Sequence, residues 1–320
     1  MNPTTLGALW IVGGMALVAI SDNFIGSVAR EIGLWQFQVL RSAMTLPVAV
    51  AAVLAARRPE MLRPRAPGAV ALRSAFATVG LLMYFAALPA VGIAQAAAGL
   101  FTSPIWVVLV SALVFGERVG PRRVAGVAVG FAGVCLVLGL GAQPVRPMAL
   151  VAVTAGLLWG LGVIWTRRFC GEESVTGLAV WQFVAFLVAG LAGLAALPWL
   201  SGALAGVEGA RFATESWRAP GREMLGLVFL IGLSGFVATA CLARGYMSGA
   251  ASIMGLFDFS FLFWAPFFAW TLWGQTVTAR MGLGMALIVM AGALAVWSGE
   301  RRAVAGAAGA ATGPAGRQTR

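Results

Sequence analysis

The sequence predicts an all-α membrane protein, with ten transmembrane helices arranged as two inverted five-helix repeats. Three observations predict it. First, 60% of the 320 residues are hydrophobic and only 10% are charged, where a soluble domain carries roughly 25% charged residues. A mean hydropathy of +0.91 leaves too little polar cover for a globular surface in water, and it excludes disorder as well. Second, ten apolar runs approach the ~20 residues a helix needs to cross the bilayer core. Third, short motifs of the first half recur in the second.

The ten runs fall at 6–28, 34–56, 69–89, 92–116, 121–140, 148–168, 177–199, 223–244, 249–273 and 279–298. Strands of a membrane barrel would alternate in shorter segments. The first run has no basic leader, and Asp22 interrupts it, so it does not read as a signal peptide. Between the second and third lies a basic, proline-bearing loop, 57–68. Between the seventh and eighth lies a longer polar loop, 200–222, with Glu208, Arg211, Glu215, Trp217 and Arg218. Residues 303–320 are mostly Ala, Gly and Thr and are expected to form a disordered tail. The chain thus divides into a first repeat at 6–140 and a second at 148–299.

Gly99-Leu100-Phe101 in the fourth run has a counterpart in Gly255-Leu256-Phe257 of the ninth. Gly116-Glu117, ending the fourth, has one in Gly274-Gln275. An odd number of helices per half inverts the second copy, an architecture that recurs in secondary transporters with the substrate near the midplane. Arginines set the orientation. Those at 57, 58, 63, 65, 73, 118, 122, 123, 167, 168, 244, 301 and 302 fall on one side with the termini. They outnumber those at 30, 146, 211, 218, 222 and 280 on the other. This bias predicts a multi-pass protein of the inner membrane with both termini cytoplasmic.

The charge list also excludes chemistries. All 22 basic residues are Arg, with no Lys and no His. That removes a lysine Schiff base and histidine-dependent triads, zinc sites and haem ligation. The net charge of +11 reads as topology and not as nucleic-acid binding. Cys135, Cys170 and Cys241 are scattered, which suits packing and neither a disulfide framework nor a metal site. No cofactor is implied, and no P-loop appears, so a gradient rather than ATP is the expected driving force.

Asp22-Asn23-Phe24-Ile25, Trp35-Gln36 and Leu40-Arg41-Ser42 resemble the opening of EamA-type carriers of the drug/metabolite transporter superfamily. Phe85-Ala86-Ala87-Leu88 through Ala94-Gln95-Ala96, and Pro104 followed by Gly116-Glu117, resemble the rest of the first repeat. Arg244-Gly245-Tyr246 and Leu256-Phe257-Asp258-Phe259-Ser260 resemble the second repeat of a branch that includes S-adenosylmethionine-type uptake transporters. The resemblance covers roughly residues 6–300. It implies a carrier for a small polar or amphipathic metabolite, amino-acid-like or nucleoside-like, working by alternating access. Gln275 stands where the second repeat usually has Glu. Gly26 stands where many members of the branch carry Lys, so a contact from that lysine is not carried over.

Ionisable groups inside a bilayer are expensive, about 2.5–3.5 kcal/mol for a central Asp or Arg. Asp22 and Arg41 both sit ~9–11 Å below the outer surface at 1.5 Å per residue, and equal depth permits an ion pair, either a packing device or a gate. Asp258 sits ~13 Å from the inner end of its helix. Desolvation disfavours the charged form of a carboxylate at such depth, which suits it to carry a proton. Asn23 and Ser260, beside the two carboxylates in the same motifs, join the candidate set. So do Tyr84, one of two tyrosines, and Trp159, whose neighbours Gly156, Gly160 and Gly162 leave room for a cavity wall. Of the 11 acidic residues, only Asp22 and Asp258 fall well inside predicted spans, so any proton coupling must use one of them. An intramembrane aspartyl enzyme is the competing reading, but their predicted depths lie in opposite leaflets. A channel is another, with no filter-like motif to support it. The expected partners are a small-molecule substrate, the lipid bilayer and, if coupled, protons. Monomer and homodimer are both open, as are import and export.

Overall fold

The computed structural model describes residues 3–114, 116, 121–138, 147–207, 209–247 and 257–291. Among the described residues every regular element is helical. The helices are α1 (Pro3–Asn23), α2 (Ile25–Glu31), α3 (Leu34–Ala55), α4 (Pro67–Val91), α5 (Ile93–Leu100), α6 (Ser103–Leu113) and α7 (Pro121–Leu138). They continue with α8 (Pro147–Phe169), α9 (Val175–Ala195), α10 (Leu197–Ala203), α11 (Arg211–Thr214), α12 (Arg222–Met247) and α13 (Phe261–Trp273). The last is α14 (Ala279–Ala291). Six stretches are long and apolar enough to cross a membrane: Thr5–Glu31, Leu34–Ala55, Pro67–Val91, Pro147–Thr166, Val175–Ala195 and Arg222–Leu242. Shorter apolar helices cover 93–107, 128–137, 261–273 and 279–291. The 303–320 tail lies outside the described residues.

Local chemistry sets several boundaries. Pro67 opens α4, where its missing N–H and fixed φ cost nothing. Ser174 caps α9 by accepting from the Gly177 N–H at 3.3 Å. Gly116 and Gly274, the two positions matched between the halves, both take a left-handed φ, of 65° and 64°, a conformation costly for any residue with a Cβ.

Two predicted continuous segments are interrupted. The first bends at Phe24, whose N–H bonds the Ser21 carbonyl in a tightened turn (3.0 Å) between α1 and α2. The fourth breaks at Phe101–Thr102, between α5 and α6. There the Thr102 N–H and hydroxyl both donate to the Gly99 carbonyl, at 3.1 and 2.7 Å, and Pro104 sits in the first turn of α6. The described part of the ninth segment also begins irregularly, with a 3-10 turn, Phe257–Ser260, ahead of α13. Polar residues stand at both places, Ser21-Asp22-Asn23 just before the bend and Thr102-Ser103 just after Phe101.

The most extensive packing is α4 on α8, α1 on α12 and α3 on α9. Glycines permit close approach where helices cross. A Cβ on Gly133 of α7 would lie 2.6 Å from the Gly284 carbonyl of α14, and the reverse holds as well. The glycines around Trp159 serve the same purpose. Gly156 abuts the α5–α6 break, Gly160 the Ser103 carbonyl of α6 and Gly162 the α4 backbone. The room they create is filled by neighbouring main chain, which corrects the expectation that they leave a cavity beside the half-buried indole.

At one end of the bundle the 57–66 loop meets the turn after α8. The Glu173 carboxylate accepts from the Ala66 N–H at 2.7 Å, and the Trp181 indole N–H donates to the Leu62 carbonyl at 3.0 Å. Large apolar side chains such as Leu113, Phe131, Trp199 and Phe263 are exposed on the outside of the bundle. Water would penalise that surface, and a bilayer covers it.

Candidate functional site

Three consecutive residues at the end of α1 bond three different helices, because successive side chains on a helix point about 100° apart. The Ser21 hydroxyl pairs with Ser234 of α12 at 2.6 Å. Asp22 accepts from the Tyr84 hydroxyl of α4 at 2.8 Å. The Asn23 amide donates to the Ala265 carbonyl of α13 at 3.2 Å and back to Ala19 at 2.8 Å. All of Ser21, Asp22, Asn23 and Tyr84 are buried. The bend at Phe24 is therefore the hub that joins α1 to α4, α12 and α13.

Arg41 is buried too, yet no ion pair joins it to Asp22, contrary to the expectation from equal depth. Its guanidinium stands among four phenyl rings: Phe186 at 4.6 Å, Phe37 and Phe85 at 5.1 Å, and Phe183 at 5.7 Å from the ring centroids. Arg41 faces α4 and α9, and Tyr84 occupies the Asp22 carboxylate.

Around Arg41 runs a polar stripe that the sequence reading passed over. Gln38, Ser42 and Thr45 lie on the same face of α3, at spacings of three and four residues, and are almost fully buried. Both side-chain atoms of Gln38, Nε and Nη2 of Arg41, and the hydroxyls of Ser42 and Thr45 have no hydrogen-bond partner within the protein. Buried polar groups are rarely left so. The signal was available, as uncharged polar residues at helical spacing within an apolar run.

The break in the fourth segment touches the 3-10 turn at the start of the described part of the ninth. The Phe101 ring lies 5.7 Å from both Phe259 and Phe261. Asp258 sits on the 3-10 turn between these contacts, but its side chain lies outside the described residues. Ser260, next along, and Trp264, one turn further, each carry a buried polar atom with no protein partner.

A cavity of about 400 Å³ opens at the end of the bundle where α1, α4 and α13 finish, lined by Asn23, Ser27, Arg30, Phe212, Trp273 and Gln275 among others. Phe212 belongs to the 196–221 connection, which is fastened over the start of α3. The Trp35 indole N–H donates to the Ala213 carbonyl at 2.8 Å. The Gln36 amide donates to the Arg218 carbonyl and accepts from the Arg218 N–H at 3.0 Å. Arg211 and Arg218 both pair with Glu215, at 3.2 and 2.5 Å. Gln36→Leu removes both amide bonds at once and strands a main-chain N–H and C=O. At about 1 kcal/mol per lost bond, trypsin cleavage of this connection in the purified protein is expected to speed up several-fold. An unchanged cleavage rate would show that Gln36 does not hold it.

Residues 5–139 match the EamA-like transporter family. A riboflavin transporter of Rhizobium johnstonii is 29% identical over 311 residues, covering 91% of this chain and 94% of that protein. A riboflavin transporter of Vibrio cholerae is 25% identical, covering 89% and 90%. An uncharacterized transporter of Helicobacter pylori is 25% identical over 70% of this chain and 72% of its own. One solved crystal structure shares the fold, with a TM-score of 0.62 over 92% of this chain and 98% of its own at 21% identity. Residues 5–139 thus match an EamA-like transporter domain, and the chain is a multi-pass membrane transporter and not an enzyme.

Proposed function

We propose that the chain is a secondary transporter for a flavin-type metabolite, a flat heteroaromatic ring carrying a polyol. It works by alternating access between two inverted five-helix repeats, residues 6–140 and 148–299. The observation that carries the reading is similarity along nearly the whole chain to two proteins named riboflavin transporter. Those names favour riboflavin over the S-adenosylmethionine-type substrate that the motifs resemble. A flavin fits the nucleoside-like, amphipathic class that the sequence suggests. The cavity at the α1–α13 end is within the about 300–1,000 Å³ that small-molecule sites occupy. Its lining mixes Trp273 and Phe212 with Asn23, Ser27 and Gln275, which suits an aromatic ring with hydroxyls.

The six long helices and four shorter apolar ones supply ten crossings in this reading. The break in the fourth segment, where Phe101 meets Phe259, suits a site near the midplane between repeats. Asp22 and Asp258 are the two carboxylates placed to carry a proton. The arginine bias sets the chain in the inner membrane with both termini cytoplasmic.

Counterflow tests the reading. Proteoliposomes preloaded with riboflavin are expected to take up labelled riboflavin faster than empty ones. Equal rates would point to a channel, and no uptake would remove riboflavin as substrate. Asp258→Asn is expected to abolish uptake driven by a pH gradient while expression and counterflow persist. Unchanged driven uptake in that variant would remove Asp258 as the proton carrier.

A further inference from the structure

We infer that Gln38 and Arg41, with Ser42 and Thr45 along the same face of α3, form the edge that recognises a planar imide, the carbonyl–N–H–carbonyl grouping of a pyrimidinedione ring. The inference deepens the proposed flavin-type function and rests on it.

The four side chains occupy positions i, i+3, i+4 and i+7, which line one face of a helix over about 10 Å of its length. Gln38 and Ser42 are fully buried, Thr45 is 1% exposed and Arg41 7%. Each carries a polar atom with no partner in the protein, and for Gln38 both the oxygen and the nitrogen lack one. Such a set calls for a group with matching donors and acceptors.

The donor and acceptor pattern narrows what that can be. A carboxamide offers one acceptor and one donor side by side, and a guanidinium offers donors only. An imide edge matches this, because its N–H donates to the Gln38 oxygen, one carbonyl accepts from the Gln38 nitrogen and the other accepts from Arg41. An amine would face the Arg41 cation, and a carboxylate would leave the Gln38 oxygen opposed to another acceptor. Phe37, Phe85, Phe183 and Phe186 surround the guanidinium, so an apolar, aromatic environment adjoins the polar edge. Hydroxyls both donate and accept, and those of Ser42 and Thr45 suit a polyol.

Binding by the purified full-length chain in detergent tests this, read by quenching of flavin fluorescence. The probes are riboflavin, lumichrome and N3-methylriboflavin, in which the imide donor is blocked. The wild-type chain is expected to bind riboflavin at least about tenfold more tightly than the N3-methyl compound, because methylation leaves the Gln38 oxygen unpaired. Gln38→Leu is expected to weaken riboflavin binding and to remove the preference. Equal wild-type affinity for the two flavins would overturn the inference and leave the flavin reading standing. A preference that survives in Gln38→Leu would also overturn it, by placing recognition elsewhere. Binding of neither riboflavin nor lumichrome would overturn the flavin reading and this inference together.

Discussion

Arg41→Leu is expected to lose transport while keeping, or slightly raising, thermal stability. A central arginine costs about 2.5–3.5 kcal/mol to place in a bilayer. Here Nε and Nη2 of Arg41 recover no hydrogen bonds from the protein. The rings of Phe37, Phe85, Phe183 and Phe186 return part of that cost, at about 0.5–2 kcal/mol for each well-placed cation–π contact. The opposing terms are of similar size, and leucine packs well among phenyl rings, so the fold loses little. Transport loses more. Each charge-assisted hydrogen bond to substrate is worth about 1.5–3 kcal/mol, or roughly one to two orders of magnitude in rate. Arg41→Lys keeps the charge but not the planar fork that stacks on rings, and is expected to fall between. The checks are initial uptake rates in proteoliposomes and unfolding temperatures in detergent. A leucine variant that transports normally would make Arg41 a packing residue.

The second large effect concerns the crossing of α8 with the α5–α6 break. A Cβ at Gly156 would run into the Thr102 hydroxyl and the Gly99 and Leu100 carbonyls. Gly156→Ala gains about 1 kcal/mol of helix propensity. Overpacking against main chain that cannot move aside costs typically about 1–3 kcal/mol, and more when the backbone must shift. Gly156→Val adds two methyl groups in the same place and is expected to lose about 3 kcal/mol, appearing as aggregation on size-exclusion chromatography. Gly226 of α12 supplies the contrast, since a Cβ there meets nothing within 4 Å. Gly226→Ala is expected to hold or raise the unfolding temperature. If both alanine variants behave alike, the close approach at Gly156 is not what holds the crossing.

The membrane class and most helix positions were legible because the bilayer imposes a length on each apolar run. The observed helices at 34–55, 67–91, 147–169 and 175–195 begin and end within a few residues of the predicted ones. The breaks were harder to place: polar or proline residues flank both, Ser21-Asp22-Asn23 before Phe24 and Thr102-Ser103-Pro104 after Phe101, but such residues also sit within unbroken helices, as Pro47 does in α3. Direction around the helix axis was not legible, and Tyr84 rather than Arg41 proves to be the hydrogen-bond partner of Asp22. Weighing only ionisable groups hid Gln36 and Gln38. An uncharged amide costs less to bury than a charge, yet it still demands partners. Gln36 finds them in the Arg218 main chain. Asp258, the strongest sequence candidate for a proton carrier, lies on the turn that touches the break in the fourth segment.

The fastening of the 196–221 connection has an evolutionary side. Trp35 and Gln36 grip the carbonyls of Ala213 and Arg218 and the Arg218 N–H, groups that every residue except proline possesses in full. These grips therefore do not depend on the side chains at 213 and 218, proline at 218 excepted, but they do depend on the length of the connection and on Trp35 and Gln36. Variation there would mark tolerance of composition and intolerance of insertions, the reverse of what a long polar loop ordinarily shows.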